Sequence, residues 1–450
     1  MDGAIDGSSA RRSADAETDG ETETDAEDPS VAGDGGGRRD SGLQDGGTRD
    51  EAGPCAAWCG EPTEIARIEL LSRQDGRGPQ TLEHIAVAGR RVGALVSARD
   101  VPRTEVETVY TIVVTDLATG RIENHPASGS VETFVGVRGS GLRADAEGWH
   151  VLFAYQPQVG AWMGGEARLG TIDWRLDGTE GVLQGGPSIA VHVSPCSCDR
   201  PVAFAPFGDE GWLATIVEGS SVVYRWWDVP ARPSEGTMLD LGSSPTGSTP
   251  ISTAFLPDGS LGVAGGGSAS GLERRPGFVA IGTPGASDWI TRPIPGEAYD
   301  AAPYVVARPA GPTVVRFASD ATDLDASGIR VVEHDGSLDV RGDTRIATPF
   351  GLAPSAYTAF ASPDGTSVAW AMAGMTDTAE STMHLVAMHD EIACTTVDAR
   401  PVAQLERSPS SMVATWLDAD VIVAAMIGAD PSQLVLLRIP GCSITRVDGE

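Results

Sequence analysis

The sequence contains no lysine, and all 32 of its basic residues are arginine. Chemistry that needs a lysine is therefore excluded, including Schiff-base catalysis and the lysine-containing phosphate-binding loop. Acidic residues number 63, which gives a formal net charge of −31. Because no basic stripe is available to neutralise phosphates, this composition argues against nucleic acid as a partner and against an anionic membrane surface.

Long hydrophobic runs are absent as well, so the sequence predicts no transmembrane segment. The opening residues, MDGAIDGSSA, lack the basic and apolar regions of a signal peptide. Two alternatives follow from this opening. The protein is either cytoplasmic, or it is extracytoplasmic, in the periplasm or on the outer cell surface, with its leader missing from this sequence.

Cysteine is scarce, and the cysteines are Cys55, Cys59, Cys196, Cys198, Cys394 and Cys442. An even number with two close pairs fits disulfides, which favours the extracytoplasmic alternative. Free thiols and a zinc site are competing interpretations. The zinc site would use His192, Cys196 and Cys198, but this group lacks a CxxC pair and an obvious fourth ligand.

Between residues 80 and 450 the chain repeats one pattern seven times, in which a tight turn is followed by a run of small and β-branched residues. The seven segments read AGRRVGALVSA (88–98), AEGWHVLFA (146–154), DEGWLATIV (209–217), PDGSLGVAG (257–265), PAGPTVVRFA (309–318), PDGTSVAWA (363–371) and LDADVIVAA (417–425). A period of about 50 residues with four strands per repeat is typical of a β-propeller. Because no helical periodicity is found, the sequence predicts an all-β fold, with a single seven-bladed propeller over residues 81–450.

The closure of this predicted ring is left open. The last repeat contains four expected strands of its own, at 410–418, 420–427, 432–440 and 442–447. A further strand is expected at 64–72, inside a cysteine-bearing lead-in segment at 55–80. That strand either displaces the last strand of the final repeat or lies outside it.

Residues 1–54 differ in composition from the rest of the chain. They are rich in Asp, Glu and Gly, and they contain no aromatic residue. Such a segment cannot bury enough apolar surface to offset its ordering entropy, so the sequence predicts a disordered acidic tail. The tail is either a flexible tether or an inert extension.

The segments FLPDGSLGVAGG (255–266) and FASPDGTSVAWA (360–371) resemble the S-P-D-G-x-x-[IV]-A-[FWY] core of TolB-type propeller repeats. The resemblance implies an Asp-Gly hairpin between the first two strands of a blade, a propeller scaffold, and a secreted or periplasmic setting. It implies no activity, since such repeats serve binding proteins, peptidase gates and cell-envelope assemblies alike. The tail before a cysteine-bearing propeller also looks like that of many bacterial surface lipoproteins.

One local motif indicates a metal site. Asp323, Asp325 and Ser327 alternate and precede a glycine, which resembles the start of a calcium loop. The later ligand positions hold Val331 and His334 instead of oxygen ligands. Calcium is therefore a possible ligand rather than a required cofactor, and the alternative is an ordinary acidic turn.

No catalytic motif is recognisable. In GGGSASG (265–271), Ala269 stands where a hydrolase nucleophile would be, and the histidines, among them His84, are scattered singly and are predicted to be surface or core residues. The leading hypothesis is a monomeric, non-enzymatic surface or periplasmic propeller that binds a protein or glycan through one face of the ring. The alternative is a propeller enzyme of the lyase, lactonase or glycosidase type with its site in the central channel.

Overall fold

The computed structural model describes residues 61–70, 80–100, 106–128, 131–133, 137–155, 166–192, 200–207, 211–218, 221–228, 234–240, 251–266, 277–283, 289–294, 303–318, 328–347, 354–362, 365–375, 381–389, 398–405, 407–418, 420–428 and 432–441. Contacts divide the chain into two parts, Met1–Glu51 and Ala52–Glu450. All the described residues lie in the second part.

These residues form strands and no helix, so the predicted all-β class is confirmed for the described part of the chain. In chain order the strands are β1 (Thr63–Glu69), β2 (Gln80–Ala88), β3 (Arg91–Asp100), β4 (Val106–Asp116), β5 (Ile122–Pro126), β6 (Val131–Thr133), β7 (Val137–Ala144), β8 (Gly148–Tyr155), β9 (Glu166–Arg175), β10 (Val182–His192), β11 (Arg200–Phe207), β12 (Gly211–Glu218), β13 (Ser221–Asp228), β14 (Ser234–Asp240), β15 (Ile251–Phe255), β16 (Leu261–Gly265), β17 (Phe278–Gly282), β18 (Ile290–Pro293), β19 (Tyr304–Arg308), β20 (Gly311–Ala318), β21 (Gly328–His334), β22 (Val340–Ala347), β23 (Ala356–Ala361), β24 (Ser367–Met375), β25 (Ser381–His389), β26 (Asp398–Leu405), β27 (Pro409–Leu417), β28 (Asp420–Ile427) and β29 (Gln433–Ile439).

The strands are arranged as four-stranded antiparallel meanders, which we call units. Unit 1 contains β2 to β5, with β6 paired to β4. Units 2 to 6 contain, in order, β7–β10, β11–β14, β15–β18, β19–β22 and β23–β26, and unit 7 contains β27 to β29 together with β1. Units 2 and 3 form one eight-stranded sheet because β7 and β11 share two parallel residue pairs.

The first strands of the units contact one another in a closed order. The contacts run from β2 to β7, β11, β15, β19, β23 and β27, and from β27 back to β2. Apolar clusters fill the space between several successive units. Between units 1 and 2, for example, Leu95 and Ile112 pack with Trp149 and Phe153. Sheets stacked face to face around an axis define a β-propeller, as the sequence predicts.

The turns between first and second strands explain the glycine that most repeats share. Gly89, Gly259 and Gly365 have φ angles of 57°, 83° and 69°, a left-handed conformation that glycine adopts without steric cost. In unit 7 the sequence alignment places Ala419 at this position. The neighbouring Asp418 has a φ of 53°, and aspartate is one of the few residues with a side chain that tolerate this region.

Strand β1 completes unit 7 and so closes the ring. It pairs antiparallel with β29, and its residue Ala66, together with Leu70, packs in one apolar cluster with Leu82 of unit 1. The strand expected at 64–72 therefore occupies the fourth position of this unit. The competing strand expected at 442–447 lies outside the described residues.

Candidate functional site

Each first strand of a unit has one edge that no strand of its own unit covers, so the N–H groups along that edge need other partners. Serines of the preceding unit supply two of them. The N–H of Leu82 in unit 1 donates to Ser411 Oγ of unit 7 at 3.1 Å, and the N–H of Val305 in unit 5 donates to Ser252 Oγ of unit 4 at 2.6 Å. Side-chain hydrogen bonds therefore hold the inner strands together beside the apolar packing.

The first strand of unit 1, β2, has a β-bulge at Glu83. Leu82 and His84 pair with consecutive residues of β3, which leaves Glu83 without a paired residue in β3. Leu82 and Ile85 pack in the cluster between units 7 and 1, whereas Glu83 and His84 both make hydrogen bonds to unit 2. The bulge thus interrupts the alternation of a regular strand and points an acid and an imidazole to the same side.

Hydrogen bonds to serines fix this pair. His84 Nε2 lies 2.6 Å from the carbonyl oxygen of Ser140 in β7. Glu83 accepts a hydrogen bond from Ser97 Oγ at 2.5 Å and a longer one from Ser140 Oγ at 3.5 Å. Both serines are buried, and Glu83 and His84 are half-buried. Ser140 therefore contacts both members of the pair.

The environment keeps His84 neutral near pH 7. Burial lowers the pKa of His84 from its ordinary value and outweighs the Glu83 charge and the Ser140 carbonyl, which raise it. Because a carbonyl oxygen can only accept, Nε2 must carry the proton, and Nδ1 then carries the lone pair. A neutral imidazole beside a carboxylate can take up a proton, and the carboxylate stabilises the imidazolium that forms.

This pair is unique among the first strands of the units. Glu83 is the one carboxylate and His84 the one histidine in β2, β7, β11, β15, β19, β23 and β27. The alternative drawn from the sequence, a propeller enzyme, places its site in the central channel, and the first strands of the units surround that channel. Glu83 and His84 are therefore the strongest candidates for acid–base chemistry on the inner strands.

A second histidine bound to carboxylates, His150 in β8, has a different character. Its Nδ1 lies 2.7 Å from Asp173 Oδ1, and its Nε2 lies 2.9 Å from Asp145 Oδ2. The hydrogen bond to Asp173, followed by the interactions with Asp145, raises the pKa of His150. Both ring nitrogens of His150 lie beside carboxylates, and Asp145 also accepts hydrogen bonds from the N–H groups of Glu147 and Gly148, so this cluster belongs to the β7–β8 turn and is a weaker candidate base than His84.

The metal and disulfide residues predicted from the sequence lie outside the described residues. They are Asp323, Asp325, Ser327, Cys55, Cys59, Cys196, Cys198, Cys394 and Cys442. Among the residues that the structure describes, no group of three or more His, Cys, Asp or Glu side chains could hold a metal ion. The same part of the chain contains no helix that is long and apolar enough to cross a membrane.

Sequence reasoning missed the pair because it treated His84 as one of several isolated histidines. A signal was present in QTLEHIAVA, where the polar residues Glu83 and His84 are adjacent within a strand. Adjacent polar residues normally lie on opposite faces of a strand. Only the bulge brings them to one side, and the contact with Ser140 exists only once units 1 and 2 are packed together.

No protein-family model matches the chain, and no curated protein matches it. Solved structures of similar fold include the polysaccharide lyase Uly1, with 10% sequence identity, a TM-score of 0.47, and coverage of 80% of this chain and 89% of that one. The GH93 α-L-arabinofuranosidase of Fusarium graminearum is 13% identical, with a TM-score of 0.44 and coverage of 77% and 98%. The β-propeller domain of the Trilobed protease from Pyrococcus furiosus is 8% identical, with a TM-score of 0.45 and coverage of 83% and 97%.

These comparisons correct the prediction that the protein is a non-enzymatic binding propeller. The similar structures include propeller enzymes, among them the lyase, the arabinofuranosidase, an arabinanase and a GH74 enzyme, and they favour the alternative of a propeller enzyme over the non-enzymatic reading. The error has a physical origin. The prediction was based on the absence of a catalytic motif, and a propeller assembles its polar groups from strands that are far apart in sequence.

Proposed function

We propose that this propeller is an enzyme of the lyase or lactonase type that uses His84 as a general base. One observation carries the proposal. The β2 bulge holds a neutral imidazole and a carboxylate side by side on an inner strand, with both bonded to a neighbouring unit. Bulges that re-aim side chains are over-represented next to active sites.

In this mechanism Nδ1 of His84 takes a proton from the substrate carbon or from an attacking water. The proton on Nε2 remains bonded to the Ser140 carbonyl, which fixes the ring orientation. The Glu83 carboxylate stabilises the imidazolium, because its charge favours the protonated ring. Ser97 holds Glu83 in place from the second strand of the same unit.

The residue inventory favours this chemistry over two-carboxylate glycoside hydrolysis. That reaction needs a pair of carboxyl groups, about 5–10 Å apart depending on the stereochemical outcome. Glu83 is the one carboxylate on the described first strands. A glycosidase of the ordinary type would therefore need a second acid from outside them.

We propose a carbohydrate or a sugar lactone as the substrate. Hydroxyl groups are the commonest polar side-chain groups on the described inner strands, and that of Thr81 in β2, two residues before Glu83, belongs to an exposed side chain. Such groups suit a substrate rich in hydroxyls. The net charge of −31 makes a strongly anionic substrate less suitable.

The test is a substrate panel of neutral polysaccharides, uronate-containing polysaccharides and sugar lactones, with detection of unsaturated products and of released acid. On any substrate that is turned over, His84→Gln is expected to lower kcat by about 10²- to 10⁴-fold, the usual contribution of general acid–base catalysis. His150→Gln is the control and should leave kcat unchanged. Equal turnover by wild type and His84→Gln would refute the base assignment, and no turnover across the panel would refute the substrate class.

We further infer seven blades, one for each unit, with β1 as the closing strand. The closed order of contacts among the first strands supports this count, as does the β1–β29 pairing. We retain the boundaries expected from the sequence, which are a disordered tail at 1–54, a cysteine-bearing lead-in segment at 55–80 that contains the ring-closing strand β1, and the remaining strands of the ring at 81–450. The TolB-type assignment, an extracytoplasmic location, the monomeric state, the disulfides and weak calcium binding at Asp323, Asp325 and Ser327 remain proposals based on the sequence.

A further inference from the structure

The acid–base pair depends on an irregular strand. In a regular strand Glu83 and His84 would point to opposite faces, and only one of them could reach unit 2. A bulge also gives up regular pairing with the neighbouring strand, so it needs other contacts to hold it.

Leu82, the residue before the bulge, is held by unit 7 through two contacts, one of its side chain and one of its backbone. Its side chain is 3% exposed and packs in the apolar cluster between units 7 and 1. Its N–H donates to Ser411 Oγ, which belongs to the first strand of unit 7.

The strand that carries Ser411 is itself irregular. Pairing between β27 and β28 shifts between Pro409 and Ser411, which leaves Ser410 without a paired residue in β28. Two neighbouring first strands therefore each contain an irregularity, and the hydrogen bond between Leu82 and Ser411 joins them directly beside both.

We propose that Ser411 is a positioning residue: its hydroxyl holds the β2 bulge in the register that places Glu83 and His84 together on the side of unit 2. The inference rests on the proposed function for its importance to catalysis, but its geometry can be tested without a substrate. The boundary between unit 1 and unit 7, the unit that β1 completes, then also sets the geometry of the candidate base.

Loss of this bond has a defined structural consequence. Without the Ser411 hydroxyl, the Leu82 N–H loses its side-chain acceptor. Regular pairing of β2 with β3 then becomes more favourable relative to the bulged pairing. A one-residue change of register moves side chains to the opposite face of a strand. His84 would then leave the Ser140 carbonyl and become more exposed.

The experiment is an NMR titration of the histidine rings in the full chain, with the His84 signal assigned by its loss in His84→Gln. In Ser411→Ala the pKa of His84 should rise toward the ordinary histidine value, and in Ser411→Thr, which keeps a hydroxyl, it should stay as in wild type. Ser252→Ala removes the equivalent bond between units 4 and 5. It is the matched control, expected to lower stability similarly without moving the His84 titration.

An unchanged His84 titration in Ser411→Ala, or an equal change in Ser252→Ala, would overturn the proposal. If Ser411→Ala does not fold, amide exchange in the wild-type protein decides the matter. The Leu82 amide should be protected, and exchange at the rate of an open amide would overturn the proposal equally. Both readouts are independent of turnover, so the base assignment can fail while the positioning role stands, and the reverse.

Discussion

Removing the negative charge of Glu333 should destabilise the fold far more than an exposed charge would. Glu333 in β21 forms an ion pair with Arg308, the last residue of β19, whose other terminal nitrogen donates to the carbonyl of Thr366 in unit 6 at 3.2 Å. Arg308 is 3% exposed, and burial lowers its pKa while the Glu333 charge opposes that effect. The arginine therefore connects units 5 and 6 and depends on its carboxylate partner.

The expected cost of Glu333→Gln follows from that burial. Removing one partner of a buried pair costs roughly 3–5 kcal/mol, because the other charge stays buried without compensation. The Glu333 side chain is 26% exposed, so water can partly replace it. We therefore expect a loss of about 3 kcal/mol in the free energy of unfolding.

The assay is urea unfolding followed by tryptophan fluorescence, with Glu180→Gln as the control. Glu180 pairs with Arg175 at 2.8 Å, but both side chains are at least 60% exposed, so its loss should cost at most about 1 kcal/mol. The double variant Arg308→Met, Glu333→Gln should recover much of the lost stability, since no buried charge remains. Equal losses in the two single variants would show that Arg308 is not effectively buried and would refute the reasoning.

Two further predictions concern packing and acid stability. Gly93→Ala should cost about 1–3 kcal/mol in urea unfolding, because the added Cβ would lie 2.7 Å from the buried Trp149 ring, whereas Gly336→Ala meets no atom within 4 Å and should cost little. Burial lowers the pKa of His384 to about 4, so the ring is neutral in the fold while the unfolded chain binds a proton below about pH 6.5. This contribution to stability is complete above that pH and is lost as the pH falls through about 4, for a total of about 3 kcal/mol. His384→Gln should make the pH dependence of the urea midpoint correspondingly shallower, and an unchanged dependence would contradict the burial of this ring.

Local chemistry made the strand pattern readable from the sequence. The runs of small and β-branched residues that follow each turn become the second strands, such as β3, β20 and β28, because the centre of a unit is packed on both faces and leaves room for little else. Glycine at the turn signals a left-handed backbone in units 1, 4 and 6. In unit 7, where the alignment places Ala419 at the turn, the neighbouring Asp418 has a left-handed backbone.

The sequence by itself determined the all-β class, the repeat and the second strand of each repeat, because turn geometry and strand alternation are set by residues close in the chain. The tertiary structure decided which strand completes unit 7, because the pairing of β1 with β29 joins the two ends of the chain. It also decided the candidate site. Glu83 and His84 are neighbours in any conformation, but they share a face only through a bulge whose Leu82 N–H is bonded to Ser411, and they meet Ser140 only across the boundary between two units. Contacts of that kind depend on the packing of distant segments, and no local pattern in the sequence encodes them.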